Sequence, residues 1–180
     1  MSKRNFRSVV LLCAFMFVSL MGAGGATGVA QAAPAHAQSL ELFRFRNLET
    51  RRCLDVRDES YADGAVIQQY KCKEGRNQVF GMGSDNAGNF VLHTYRSYGC
   101  VEPRDGVYDG AGVQQWTCNH GLNQQWRMVS IHDDIVVLRH LMSGKCLEDM
   151  GRPNGERREV GLMPCTGANN QAWRAEGRDW

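Results

Sequence analysis

The sequence predicts an all-β fold built from three copies of one unit. Cysteine pairs and an Asn-Gln motif recur with one period, and short apolar runs alternate with turn residues. No stretch beyond residue 37 shows a sustained helical period. A unit of about 46 residues cannot bury its own apolar face, so three units are expected to close around a pseudo-three-fold axis.

The first 37 residues are typical of a signal peptide and not of a folded domain. A basic start precedes an uncharged apolar run over Val9–Met21, and A-x-A cleavage motifs follow at 35–37 and 30–32. The run is shorter than the roughly 18–20 residues of a membrane span. We therefore expect a secreted, extracellular domain over residues 38–180 and no membrane-spanning segment.

Charge and cysteine count narrow the class of protein further. Residues 38–180 carry 18 basic and 19 acidic side chains, a formal charge of −1. This balance gives no sign of a nucleic acid or an anionic membrane as a partner. Six cysteines remain beyond the leader, and an even number in an exported chain predicts three disulfides.

The spacing of the cysteines defines the repeat. Cys53, Cys100 and Cys146 lie 47 and 46 residues apart, and the second members of the pairs lie 46 and 47 apart. Six cysteines allow 15 pairings, and equivalent units favour the local one. That pairing is Cys53–Cys72, Cys100–Cys118 and Cys146–Cys165. Redox-active thiols are the alternative interpretation.

Each unit is expected to consist of short strands and turns. Phe43–Arg46 alternates apolar and polar residues, as a half-buried strand does. Asp-Gly steps such as Asp63-Gly64, and the Asn-Ala-Gly-Asn stretch at 86–89, precede further β-rich runs. The aromatic residues that recur after each Asn-Gln are interpreted as core, and the glutamines as bonded to backbone in nearby turns. These residues are Phe80, Trp126 and Trp173, with Gln78, Gln124 and Gln171.

The paired cysteines and the Q-x-W motif resemble the ricin-type β-trefoil lectins, a family that includes carbohydrate-binding modules of bacterial glycosidases. The motif stands at Gln124-Gln125-Trp126 and Gln171-Ala172-Trp173, with Gln78-Val79-Phe80 as a variant. The resemblance runs from about Leu40 to Arg174. It implies a β-trefoil with repeats at about 40–85, 86–131 and 132–175, one potential sugar pocket per repeat, and no catalytic activity.

The family's pocket combines an acid after the first cysteine, a glutamine and an aromatic before the second, and the asparagine before the Q-x-W glutamine. An aromatic covers the C–H face of a sugar, a carboxylate accepts hydroxyl protons, and an amide both donates and accepts. The matching residues are Asp55, Gln68, Tyr70 and Asn77 in the first unit, and Glu102, Gln114, Trp116 and Asn123 in the second.

The three units differ in how well they match this pattern. The longer Glu102 is expected to alter hydroxyl selectivity in the second unit or to break its pocket. In the third unit Gly161 and Met163 replace the glutamine and the aromatic. We therefore expect that pocket to be lost, with Glu148 and Asp149 as ordinary exposed acids and 151–155 as a turn-rich loop.

Two other functions compete with glycan binding. A small glycosidase needs two carboxylates roughly 5–9.5 Å apart, and the repeated acids lie in separate units. A protein-binding trefoil, such as an inhibitor or a receptor-binding subunit, uses the same fold. No histidine spacing typical of a metal site occurs, so we expect neither a metal nor a cofactor. The expected partner is a glycan or polysaccharide, with a separately encoded protein partner as a further option.

Overall fold

The computed structural model describes residues 40–84, 89–154 and 157–177. The predicted signal peptide and Cys13 lie outside the described residues. Twelve strands are present in the described part of the chain: β1 Glu41–Asn47, β2 Cys53–Val56, β3 Ile67–Tyr70, β4 Phe80–Ser84, β5 Phe90–Thr94, β6 Cys100–Pro103, β7 Val113–Trp116, β8 Gln125–His132, β9 Ile135–His140, β10 Cys146–Asn154, β11 Arg157–Met163 and β12 Trp173–Gly177.

Six of these strands form a closed antiparallel barrel. Pairing runs from β1 to β12, β9, β8, β5 and β4 and returns to β1. Inward-facing residues alternate with outward-facing ones along the strands, as in the buried and half-buried alternation of Phe90–Thr94. Closure leaves the barrel with no free edge.

The other six strands form three hairpins that meet around the pseudo-three-fold axis. The hairpins are β2–β3, β6–β7 and β10–β11. Bridges join Val66 to Gln114 and Gly112 to Gly161, and β11 pairs with β3. Each hairpin therefore touches both of the others. Strands β1–β4, β5–β8 and β9–β12 are called the first, second and third units below, and the all-β trefoil prediction is confirmed.

The aromatic residues of the repeated motif lie in the core, as predicted. Phe80, Trp126 and Trp173 are fully buried. Trp126 Nε1 donates to the carbonyl of Val101 at 2.9 Å, and Trp173 Nε1 makes the equivalent bond to Leu147 at 3.1 Å. Each indole thus ties the barrel to the first strand of its own hairpin while burying a large apolar surface.

Three local disulfides close the units. They join Cys53 to Cys72, Cys100 to Cys118 and Cys146 to Cys165. Each one links the first residue of a hairpin to the segment just beyond its second strand. A loop of this size is stabilised by roughly 3 kcal/mol in the chain-entropy account.

The third unit departs from the predicted loop. Strand β10 continues to Asn154, with a register shift between Asp149 and Pro153, and pairs with β11. The turn-rich residues 151–154 therefore belong to the far part of a long strand instead of an irregular loop, and Gly155 lies outside the described residues. Across the described residues, no helix is long and apolar enough to cross a membrane.

Candidate functional site

The first unit places a buried carboxylate among three amide donors. Asp55 on β2 is only 2% exposed. Its Oδ1 accepts from Gln68 Nε2 at 2.9 Å, and its Oδ2 accepts from Asn77 Nδ2 at 2.7 Å and Gln78 Nε2 at 2.9 Å. An ionised carboxylate has about four acceptor positions, so these three bonds leave one for a ligand hydroxyl.

Local structure sets the positions of these donors. Gln68 stands directly opposite Asp55 in the β2–β3 hairpin, where facing side chains lie closest. Its Oε1 accepts from Arg57 Nε at 2.9 Å, which fixes the orientation of the amide. Asn77 and Gln78 lie on a single 3₁₀ turn, Arg76–Gln78, that brings both amides back under the hairpin.

The repeated glutamine does more than bond backbone. Gln78 Nε2 donates to Lys71 O at 2.9 Å, and Gln78 Oε1 accepts from Lys73 N at 2.8 Å. The same amide also reaches Asp55. The predicted turn bonds are therefore present, and the glutamine in addition holds the acid in place. The second and third units repeat this arrangement with Gln124 and Gln171.

Burial and hydrogen bonding oppose each other at Asp55. Burial raises the pKa of this carboxyl above its usual value of 3.8. Hydrogen bonds from Gln68, Gln78 and Asn77 and the charge of Lys73 lower the pKa and partly offset the effect of burial. The side chain is therefore a desolvated acceptor whose charge depends on its amide donors.

A cavity of about 460 Å³ opens over this carboxylate. Tyr70, at the end of β3, is half-buried and forms part of its wall. The ammonium groups of Lys71 and Lys73 lie 5.6 and 5.8 Å from the Tyr70 ring centre. The lining residues are Asp55, Asp58, Glu59, Gln68, Tyr70, Lys73, Asn77, Arg96 and Arg157. All four residues predicted for the first pocket therefore share one cavity.

The second unit builds the same carboxylate arrangement from a longer acid. Glu102 Oε1 accepts from Gln114 at 3.2 Å, and Oε2 accepts from Asn123 at 2.7 Å and Gln124 at 2.9 Å. The extra methylene is absorbed without loss of any of these three bonds. Trp116 is 41% exposed at the end of β7, so its indole is accessible to solvent.

In the third unit the expectation of two exposed acids is wrong. Asp149 is 4% exposed and forms a two-pronged pair with Arg158, whose Nη2 lies 2.6 Å from Oδ2. Glu148 is half-buried and accepts from Gln171 Nε2 at 2.5 Å. Arg158 reaches Asp149 from the opposite strand of the β10–β11 hairpin, and composition alone did not show this contact. Gly161 and Met163 face Glu148 and Cys146 across this hairpin.

Two glycines that sequence reasoning missed give the asparagines their space. A Cβ at Gly75 would lie 2.5 Å from Asn77 Oδ1, and one at Gly121 would lie 2.5 Å from Asn123 Oδ1. The third unit has Ala168 at this position. Within the described residues, Asn170 makes no hydrogen bond to the acid of that unit. The glycine two residues before both Asn77 and Asn123 was the available signal.

One cluster of histidine and cysteine side chains also occurs among the described residues. His93 Nδ1 lies 3.7 Å from Cys100 Sγ and 3.6 Å from Cys118 Sγ. Both sulfurs belong to one disulfide. They therefore lack the thiolate character that binds metal ions.

These features agree with the sequence family. The model of the ricin-type β-trefoil lectin domain matches residues 41–173. The chain belongs to this family. No curated protein matches the chain in sequence. Family membership supports carbohydrate binding as the general activity of this ricin-type domain.

Solved structures show the same fold. ThreeFoil, a designed three-fold symmetric protein, is 29% identical, with a TM-score of 0.71 over 75% of this chain and 97% of its own. The agglutinin of Rhizoctonia solani is 20% identical, with a TM-score of 0.69 over 81% of this chain and 100% of its own. The exo-β-1,3-galactanase 1,3Gal43A of Clostridium thermocellum is 22% identical, with a TM-score of 0.72 over 77% of this chain. The ricin-type domain matches only 30% of the galactanase chain.

Proposed function

We propose that this protein is a secreted, non-catalytic lectin that binds a galactose- or xylan-type glycan. Its family and its lectin neighbours support carbohydrate binding in general. The observation that carries the proposal for this chain is the Asp55 cluster, in which a buried acid keeps one acceptor position beside a half-buried tyrosine in an open cavity.

In this proposal each pocket residue of the first unit has its own role in binding the sugar. Asp55 accepts a hydroxyl proton in a charge-assisted bond, and Tyr70 packs against the C–H face of the ring. Asn77 donates to Asp55 and Val56 through Nδ2. Its Oδ1 is buried and has no hydrogen-bond partner within the described residues, so the proposed role of Asn77 is to hold Asp55 in place at the cavity wall.

The second unit is proposed as a second pocket. Glu102 has the same three donors as Asp55, and Trp116 offers a larger exposed ring than Tyr70. Two pockets on one rigid body raise the avidity for a polymeric glycan when both reach it together. The third unit is proposed to contribute to the fold and not to binding.

The absence of catalysis is part of the proposal. Asp55 and Glu102 each sit within amide donors of their own unit, an arrangement suited to holding hydroxyls and not to placing two acids across one bond. Hydrolysis of a chromogenic glycoside by the purified protein would overturn this part. Secretion is supported by the three disulfides, and N-terminal sequencing of protein from the culture medium tests it.

The deciding experiment is a glycan and polysaccharide panel with the oxidised protein and three matched variants. Tyr70→Ala and Trp116→Ala remove the two proposed platforms, and Met163→Ala changes the equivalent position of the third unit. We expect sugar-specific binding that weakens in the first two variants and persists in the third. Folded protein that binds no glycan would refute the proposal and favour a protein-binding trefoil.

A further inference from the structure

An exposed tyrosine beside the first cavity has no part in the pocket described above. Tyr61 is 63% exposed and lies in the loop between β2 and β3. The guanidinium of Arg96, which lines the cavity, lies 4.7 Å from the centre of the Tyr61 ring. The Tyr61 ring therefore lies next to the edge of the cavity, with the Arg96 side chain between the two.

This tyrosine is held in place and does not sit on a loose loop. Gln115, a buried residue of β7, donates Nε2 to the carbonyls of Ser60 at 3.1 Å and Ala62 at 2.9 Å. These two residues flank Tyr61 on both sides. Because the backbone on both sides of Tyr61 is fixed, less conformational entropy is lost when a ligand packs on its exposed ring.

The cation beneath the ring is itself anchored by a strained residue. Glu59 pairs with Arg96 Nη1 at 3.3 Å and with Lys73 Nζ at 3.0 Å. Its φ is +55°, a left-handed conformation that non-glycine residues rarely adopt. The second unit has Gly106 at the matching position, with φ +119°. The first unit thus has a glutamate in an unfavourable backbone conformation where the second unit has glycine. This glutamate orients two cations, Lys73 and Arg96, at the cavity.

The charges around the cavity balance. Three cations, Lys73, Arg96 and Arg157, face three acids, Asp55, Asp58 and Glu59. Arg157 pairs with Asp58, and Glu59 pairs with the other two cations. A rim of alternating donors and acceptors without excess charge suits a ligand rich in neutral hydroxyls. It offers no net attraction to a carboxylated or sulfated ligand.

We propose that Tyr61 is a second sugar subsite and that the ligand of the first cavity is a neutral oligosaccharide of at least two residues. One sugar occupies the Asp55 cavity, and the chain continues past Arg96 so that the next sugar packs on Tyr61. Glu59 acts as a positioning residue, because it holds Arg96 under the ring and does not itself contact the second sugar. This inference rests on the proposed function.

The test compares short and long ligands in the same protein by titration calorimetry. The probes are D-galactose with β-1,4-galactobiose, and D-xylose with xylotriose. We expect one oligosaccharide to bind more tightly than its monosaccharide. Tyr61→Ala should weaken that oligosaccharide on the order of tenfold, since an aromatic contact of about 1.4 kcal/mol corresponds to that factor, and should leave the monosaccharide unchanged.

Two variants control for other causes. Tyr61→Phe keeps the ring and should retain oligosaccharide affinity. Tyr108→Ala removes a tyrosine of similar exposure, 58%, in the second unit and should change neither affinity. Digalacturonic acid should bind no more tightly than galactobiose, and a preference for the acidic sugar would contradict the neutral-ligand part.

The outcomes separate the two proposals. If wild-type protein binds none of the four neutral probes and no glycan of the panel, the proposed function fails and this inference falls with it. If sugar binds and Tyr70→Ala weakens it, but Tyr61→Ala leaves the oligosaccharide affinity intact, the lectin function stands and the Tyr61 subsite is refuted.

Discussion

Replacing Gly75 by alanine should disable the first pocket without substituting any residue of the cavity lining. The added Cβ would lie 2.5 Å from Asn77 Oδ1, a distance that real Cβ atoms do not adopt. The φ of Gly75 is −95°, which alanine accepts without strain. The effect is therefore steric, and it falls on the amide of Asn77.

The magnitude follows from the bonds that this amide makes. To escape the Cβ, Asn77 must turn its amide away, and Nδ2 then loses Asp55 Oδ2 at 2.7 Å and Val56 O at 3.2 Å. A buried bond to a charged group contributes about 1.5–3 kcal/mol. We expect a loss of about 2 kcal/mol in the free energy of unfolding, which lowers Tm by roughly 6–10 °C in a domain of this size.

Urea unfolding and glycan titration measure the two consequences. Affinity at the first pocket should fall by at least about tenfold. Asp55 loses a hydrogen-bond donor, and the displaced Asn77 no longer forms its part of the cavity wall. Gly121→Ala should act in the same way on the second pocket. Ala168→Gly in the third unit is the matched control and should leave sugar binding unchanged. A folded Gly75→Ala protein with wild-type affinity would refute the role assigned to this glycine.

Four further predictions concern Asp55, Glu59 and Trp173. Because the pKa of Asp55 is raised, sugar binding at the first pocket should begin to fail above pH 3.8 as the pH is lowered, and an affinity profile against pH measures this. The raised pKa also means that folding favours the protonated form of Asp55. Its contribution to the free energy of unfolding is therefore fully present below pH 3.8 and is lost as the pH rises through the raised pKa. Urea unfolding at a series of pH values measures this loss. Glu59→Gly should leave the free energy of unfolding unchanged or raise it by up to about 1 kcal/mol. The reason is that relief of the left-handed backbone strain at Glu59 outweighs the loss of two exposed ion pairs. A clear destabilisation in urea unfolding would contradict this. Trp173→Phe should lower stability by about 2–4 kcal/mol in urea unfolding, since it opens a cavity and leaves Leu147 O without its indole donor.

The sequence period was sufficient to predict the three units, the disulfides and the buried aromatics. These features depend on the spacing of cysteines and Asn-Gln motifs, and that spacing can be read directly from the repeated sequence. The meeting of Asp55 with Gln68 and Asn77 was also predictable through the family pattern. Its physical basis, a hairpin register and a 3₁₀ turn that converge on one carboxylate, became visible only in the structure.

The burial of Asp149 was misjudged for a different reason. Asp149 looked like a surface acid because nothing local to it indicates burial, yet Arg158 reaches it across a long hairpin. The effect of the longer Glu102 on hydroxyl selectivity stays a prediction, although the three donors of the second unit meet its carboxylate as they meet Asp55. In each case the outcome depends on packing between strands, which composition and spacing do not specify.

The pairing of β1 with β12 has a consequence for how such a domain can be joined to others. Phe43 faces Gly177 and Asn47 faces Trp173, so the two ends of the described region lie side by side. A short linker between them should yield a circular permutant, newly opened at the exposed turn of Asp133 and Asp134, that keeps the barrel intact. A fusion partner joined at either end of the described region would therefore attach at the β1–β12 edge of the barrel.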